Sequence, residues 1–140
     1  MVRLVSARFV PVKIHVKQQP RTFERFQGLW TPTQLVLDAN GREHYRIEGF
    51  LAVEDFLAEL ELGLAKLELE EKHYDVAARD FRAVCEQHPA AAAAPQACYW
   101  AGVSEYKANH VGGTLQQTLK TLQERYPGSE WTRRAEVWAA

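Results

Sequence analysis

The spacing of apolar residues in this 140-residue chain limits the architectures open to it. Before Gly49 the apolar residues stand in short strand-like runs with one short helical stretch between them, and from Val53 onward they recur at helical spacing. Period two sets up strands with one buried face, whereas a period of about 3.6 sets up helices with one apolar stripe. A chain patterned in this way is expected to fold as α+β, with a small sheet first and helices after it.

Phe9 to Val16 alternates apolar and polar residues from Val10 onward, which predicts a strand, and Pro11 suits its beginning. Pro20 to Gly28 places proline at an early helical position, Phe23 and Phe26 about one turn apart, and glycine as terminator, so it predicts a short helix. Leu35-Val36-Leu37 and Glu43 to Ile47 flank Asp38-Ala39-Asn40-Gly41, whose Asn-Gly pair favours a tight turn, so an antiparallel hairpin is expected. Val53, Phe56, Leu57, Leu60, Leu64 and Leu67 then form one stripe that covers the hairpin.

Beyond Leu57 the helical pattern breaks at residues 72–75, 89–95, 109–113 and 127–129, which leaves about five helices. Gly112-Gly113 lacks the flanking strand and further glycine of a phosphate-cradling loop and reads as one of these breaks. Four pairs, Glu86/Glu124, Pro89/Pro127, Ala97/Ala135 and Trp100/Trp138, share an offset of 38 positions, which predicts a repeated helical hairpin. Ala77, Phe81, Val84 and Pro89 following Leu64-Ala65 resemble a tetratricopeptide repeat, although the offset is longer than the roughly 34 residues usual there. That resemblance implies stacked hairpins with a concave surface for a peptide or a helix. Trp131, Val137 and Trp138 in the last helix are expected to be core aromatics and neighbours, with a capping or dimer-contact role as the alternative.

The order of strand, short helix, Trp30-Thr31-Pro32-Thr33, hairpin, Ile47-Glu48-Gly49-Phe50 and helix resembles the second half of a thioredoxin-like domain. Val2 to Arg8 resembles the end of the helix that carries that family's Cys-x-x-Cys. The resemblance implies a cis Thr31–Pro32 bond and a peptide-binding loop at Trp30, Thr31 and Pro32, with Phe26 beside Trp30. The Cys-x-x-Cys is missing, and no cysteine precedes position 85. Thiol exchange at that loop therefore lacks its attacking thiolate. The family's central strand is missing too, so either the strands at Phe9–Val16 and Leu35–Leu37 pair directly, a second copy fills the gap, or the chain is a truncated version of a longer protein. Residues 1–66 are expected to form the partial thioredoxin-like domain and 67–140 the tetratricopeptide-like hairpins.

Charge and composition narrow the function. A formal net charge of −1 and a pI near 6.5 provide no field for phosphates or acidic membranes, and Arg133-Arg134 is too short for a nucleic-acid patch. The first residues turn polar too quickly for a signal peptide and no run is long enough to span a bilayer, so a cytoplasmic location is expected. Cys85 and Cys98 are expected as buried free thiols, with a disulfide across the alanine-rich turn geometrically allowed. His15 and His44, on strands that could be neighbours, give no metal-ligand spacing. Glu68, Glu70 and Glu71 read as a solvated face, and Asp38 with Gly41 as turn chemistry. No catalytic residue, metal or cofactor is expected. The function expected is a redox-inactive thioredoxin-like and helical-repeat module that binds a protein or peptide. The alternatives are a fragment of a thiol-disulfide oxidoreductase whose Cys-x-x-Cys lies upstream, and a structural homodimer.

Overall fold

The computed structural model describes residues 1–139. Seven α-helices and one two-stranded antiparallel sheet make it α+β and mostly helical. The order is α1 (Val2–Arg8), α2 (Pro20–Arg25), β1 (Thr33–Leu37), β2 (Glu43–Glu48), α3 (Val53–Glu70), α4 (Tyr74–Gln87), α5 (Ala94–Asn109), α6 (Gly112–Arg125) and α7 (Glu130–Ala135), closed by a 3-10 turn over Glu136–Ala139.

The hairpin forms where the turn residues place it. Asp38 Oδ1 accepts hydrogen bonds from the Asn40 amide at 2.8 Å and the Arg42 amide at 3.0 Å, and Gly41 takes φ +79°, which its missing Cβ permits. Thr33 pairs with Glu48 and Val36 with Tyr45, and the register shifts between Val36 and Leu37. α3 covers the face of this sheet that carries Val36 and Tyr45. A Cβ at Gly63 of α3 would lie 2.9 Å from Val36 Cγ2 and 3.1 Å from Tyr45 Cβ, so the glycine lets the helix settle onto the strands. α3 continues to Glu70 through the boundary expected at 66/67 and packs against the sheet on one side and α4 on the other.

The expected strand at Phe9–Val16 does not form. The segment pairs with no strand among the described residues, and Val10 and Val12 are 91% and 76% exposed. Alternation prepares one face for burial, but a strand also needs a neighbour for its amides and carbonyls, and none lies alongside. β1 is left with an open outer edge.

The helical region follows its breaks: α3 to α7 are the five helices expected. Two helix ends 38 residues apart share a backbone conformation. α4 ends at His88 with φ −123°, ψ 51° and α6 ends at Tyr126 with φ −138°, ψ 53°, each just before a proline, and Ala97 and Ala135 are fully buried. The core contains Leu62, Phe81, Val84 and Leu122, fully buried, with alanines at positions 58, 65, 77, 97 and 101 admitting close helix approach. Trp138 stacks on Tyr99 with ring centroids 4.6 Å apart, and Trp100 and Trp138 pack on this core, while Val137 stays exposed.

Candidate functional site

Three places in the fold gather groups with chemical potential. The first is the end of the hairpin where the resemblance puts a peptide-binding loop. Thr33 Oγ1 donates to the Trp30 carbonyl at 2.7 Å, and the Gly49 amide donates to the Pro32 carbonyl at 2.8 Å. These bonds hold the loop before β1 beside the loop after β2. The Thr31–Pro32 bond is cis. Leu29, Trp30 and Phe50 are 80%, 69% and 86% exposed. Three bulky apolar side chains thus stand exposed on the loops that flank the hairpin. Arg46 anchors α2 to the same hairpin, donating to the Phe26 carbonyl at 2.6 Å while its guanidinium pairs with Glu43 at 2.7 Å. Hydrogen bonding to Arg46 holds the Glu43 carboxyl below its usual range. Phe26 is half-buried and Trp30 projects into solvent, so the wall expected from the two rings is carried mainly by Trp30.

The second place is His44, which sequence reading left as an unassigned strand residue. Its side chain is 2% exposed, with Nε2 3.0 Å from Asp38 Oδ2 and Nδ1 2.5 Å from Glu70 Oε2. Burial disfavours its charged form, but the hydrogen bonds to Asp38 and Glu70 outweigh burial and raise its pKa above 6.5. The same bond, with the backbone amide of Arg42, holds Asp38 below its ordinary value. An imidazolium donating from both nitrogens thus clasps the turn to the last residue of α3. Glu70 is therefore a buried histidine's partner rather than one more residue of a solvated face. Tyr45 donates to Glu59 at 2.5 Å, and burial followed by that carboxylate keeps its phenol protonated. His15 lies in the segment that forms no strand, and its backbone bonds run to Gln18 and Gln19. Glu68, Glu71 and His73 bring ligand-type atoms within 4.8 Å of one another at the exposed end of α3.

The third place corrects an expectation. Cys85 of α4 and Cys98 of α5 are not free thiols but are joined by a disulfide, with Cα atoms 5.1 Å apart. The two antiparallel helices place the residues opposite each other across the turn at 88–93, so cysteines expected as small hydrophobes become a cross-link. Arg125, at the last position of α6, reaches them: its guanidinium donates to the Cys85 carbonyl at 2.9 Å and lies 3.4 Å from Cys85 Sγ. The Tyr126 hydroxyl accepts from Arg125 at 3.3 Å and donates to the Pro89 carbonyl at 2.9 Å. Nothing in the order of residues announced this contact, because Arg125 stands 40 positions after Cys85.

The residues expected at the peptide loop are thus together at one end of the hairpin, and the cysteines are together at the far helical hairpin. No helix among the described residues is long and apolar enough to cross a membrane. Comparison of the chain with protein-family models, with curated proteins and with solved structures finds no match.

Proposed function

We propose that this protein is a binding module that holds an extended peptide of a protein partner at the hairpin end, with the helical hairpins as the scaffold behind it. The observation that carries the reading is the exposure of Leu29, Trp30 and Phe50 beside a β-strand whose outer edge is open. An extended peptide that joined β1 would satisfy its unpaired amides and carbonyls, while its alternate side chains met the apolar patch. What remains of the thioredoxin-like resemblance without its first strand, a short helix, the Thr31–Pro32 loop, the hairpin and the helix after it, and the tetratricopeptide-like pattern support the same class of activity. The loop carries no thiol, so the peptide would be held without exchange.

Selection of binders from a random heptapeptide library tests this. Peptides recovered on the wild type are expected to lose about tenfold or more in affinity on Trp30→Ser and on Phe50→Ser, as anchor residues of an interface do. They are also expected to slow hydrogen exchange in β1. Binding that ignores both substitutions, or protection confined to the helices, would remove the proposal. The same open edge favours one second reading, a homodimer joined through β1, and a monomer by light scattering at high concentration would discard it.

A further inference from the structure

We infer that the Cys85–Cys98 disulfide is a thiol-exchange site for a low-molecular-weight thiol, with Cys85 as the leaving thiolate and Arg125 as the cation that holds it. The inference is independent of the peptide-binding reading and concerns the opposite part of the fold. It begins from an asymmetry between the two sulfurs. Cys85 Sγ has a guanidinium nitrogen at 3.4 Å, whereas among the described residues no cation hydrogen-bonds to Cys98 Sγ. Both residues are nearly buried, at 5% and 4% exposure, and burial in apolar surroundings destabilises a thiolate. Arg125 offsets that cost at Cys85 alone.

The charges around the sulfurs leave Arg125 available for the task. Arg82 of α4 is paired with Glu105 of α5, and Arg125 makes no ion pair among the described residues. Its remaining bonds go to neutral oxygens, the Cys85 carbonyl and the Tyr126 hydroxyl, which fix its position without neutralising it. Glu86 of α4 is the other ionisable side chain facing this space. A groove of about 290 Å³ between α4, α5 and α6 leads to the disulfide, and Cys85 and Cys98 form part of its wall with Gln117, Thr118 and Thr121. The small exposure of the cysteines favours a slender thiol over the thiol of a folded protein.

The chemistry balances with that reactant. A small thiolate RS⁻ attacks Cys98 Sγ, a bond forms between R–S and Cys98, and the Cys85–Cys98 bond breaks with its electron pair leaving on Cys85 as a thiolate beside Arg125. Attack is directed to Cys98 because the sulfur that leaves as the more stable thiolate leaves faster. A second RS⁻ attacks the R–S sulfur of the mixed disulfide, releasing RSSR and the Cys98 thiolate, which takes a proton from water. The protein disulfide gains two electrons and two small thiols lose them.

The experiment uses the full chain. Wild-type protein is first mapped by mass spectrometry under non-reducing conditions, where the Cys85–Cys98 linked peptide is expected, and its absence would overturn the inference. Wild type reduced with dithiothreitol is then alkylated with iodoacetamide from pH 5 to 10, and the two cysteines are followed separately by peptide mapping. Cys85 is expected to alkylate with a midpoint at least one pH unit below the ordinary thiol value of roughly 8.5, and Cys98 at or above it. Arg125→Gln is expected to move the Cys85 midpoint up to or past that of an ordinary thiol, while Arg125→Lys keeps most of the depression. The profile tests the cation at Cys85, whereas a merely structural disulfide is recognised by its failure to form a mixed disulfide with glutathione in the folded protein, an outcome that would overturn the exchange assignment. A wild-type Cys85 midpoint at or above roughly 8.5, or equal profiles in wild type and Arg125→Gln, would sink the assignment. Circular dichroism of each variant separates unfolding from loss of the charge, and the wild-type measurement decides the matter even if Arg125→Gln fails to fold. Glutathione is the probe for exchange itself: a mixed disulfide trapped on Cys98 supports the stated direction, and one found on Cys85 reverses it.

Discussion

Gly102 of α5 offers the most direct test of how the helical hairpins pack. A Cβ built on Gly102 would stand 2.1 Å from Thr118 Oγ1, 2.6 Å from its Cγ2 and 2.7 Å from its Cβ, so α5 and α6 cross where only a hydrogen fits. Alanine at this position is favoured by helix propensity by about 1 kcal/mol, because glycine loses more backbone freedom in a helix. Against this stands overpacking, which costs roughly 1–3 kcal/mol when the neighbour cannot yield. Rotating Thr118 relieves the hydroxyl and the methyl but not its Cβ, which moves only with the α6 backbone. The cost therefore lies toward the top of that range, and Gly102→Ala is expected to lose a net 1–2 kcal/mol or so. For a chain of this size that lowers the melting midpoint by roughly 3–8 °C. Gly113→Ala supplies the contrast, since nearest to its Cβ is Val111 Cγ1 at 4.0 Å and the substitution is expected to be neutral or stabilising. Thermal and urea unfolding of both variants, with Thr118→Gly in a double-mutant cycle, measures the effect. Thr118→Gly removes the clashing atoms, so the double variant is expected to lose less than the two single losses added together. A Gly102→Ala protein as stable as the wild type would show that the helices do not approach this closely and would refute the packing described.

Two further outcomes follow from named contacts. Replacing Cys85 and Cys98 together by alanine is expected to cost about 3 kcal/mol, from the cross-link's closure of a loop with sequence separation 13, and to lower the melting midpoint by roughly 10 °C. An unchanged midpoint under non-reducing conditions would mean that the cross-link does not constrain the unfolded chain. His44→Gln is expected to lower stability in a pH-dependent way. The folded pKa of His44 is raised, so its contribution is complete below 6.5 and fades as pH climbs through the higher folded value. Asp38 is lowered, so its share is present above 3.8 and disappears as pH falls through the lower folded value. The gap in melting midpoint between wild type and His44→Gln should therefore be widest between those limits and narrow on the alkaline side. A gap that widened as pH rose would contradict the clasp.

Much of the fold is legible in residue order because it depends on local chemistry. Asp38 and Gly41 make their turn through bonds within five residues, and the breaks at 89–95 and 127–129 stop helices through proline wherever those helices pack. The segment Phe9–Val16 marks where local reading ends, since its alternation is that of a strand and yet strand formation depends on a neighbour that the segment does not contain.

The order of residues by itself determined the α+β class, the hairpin with its turn and the five helices of the second half, because propensity, capping and period act over a few positions. Tertiary structure alone decided the pairings across longer distances. Cys85 met Cys98 because α4 and α5 run back on each other; Arg125 came to Cys85 through the crossing of α6; His44 found Glu70 only when α3 lay along the hairpin. Each of those contacts depends on the angle and depth at which one element sits on another, and that is set by packing of the whole core around residues such as Gly63, Phe81 and Gly102 rather than by any short stretch of the chain.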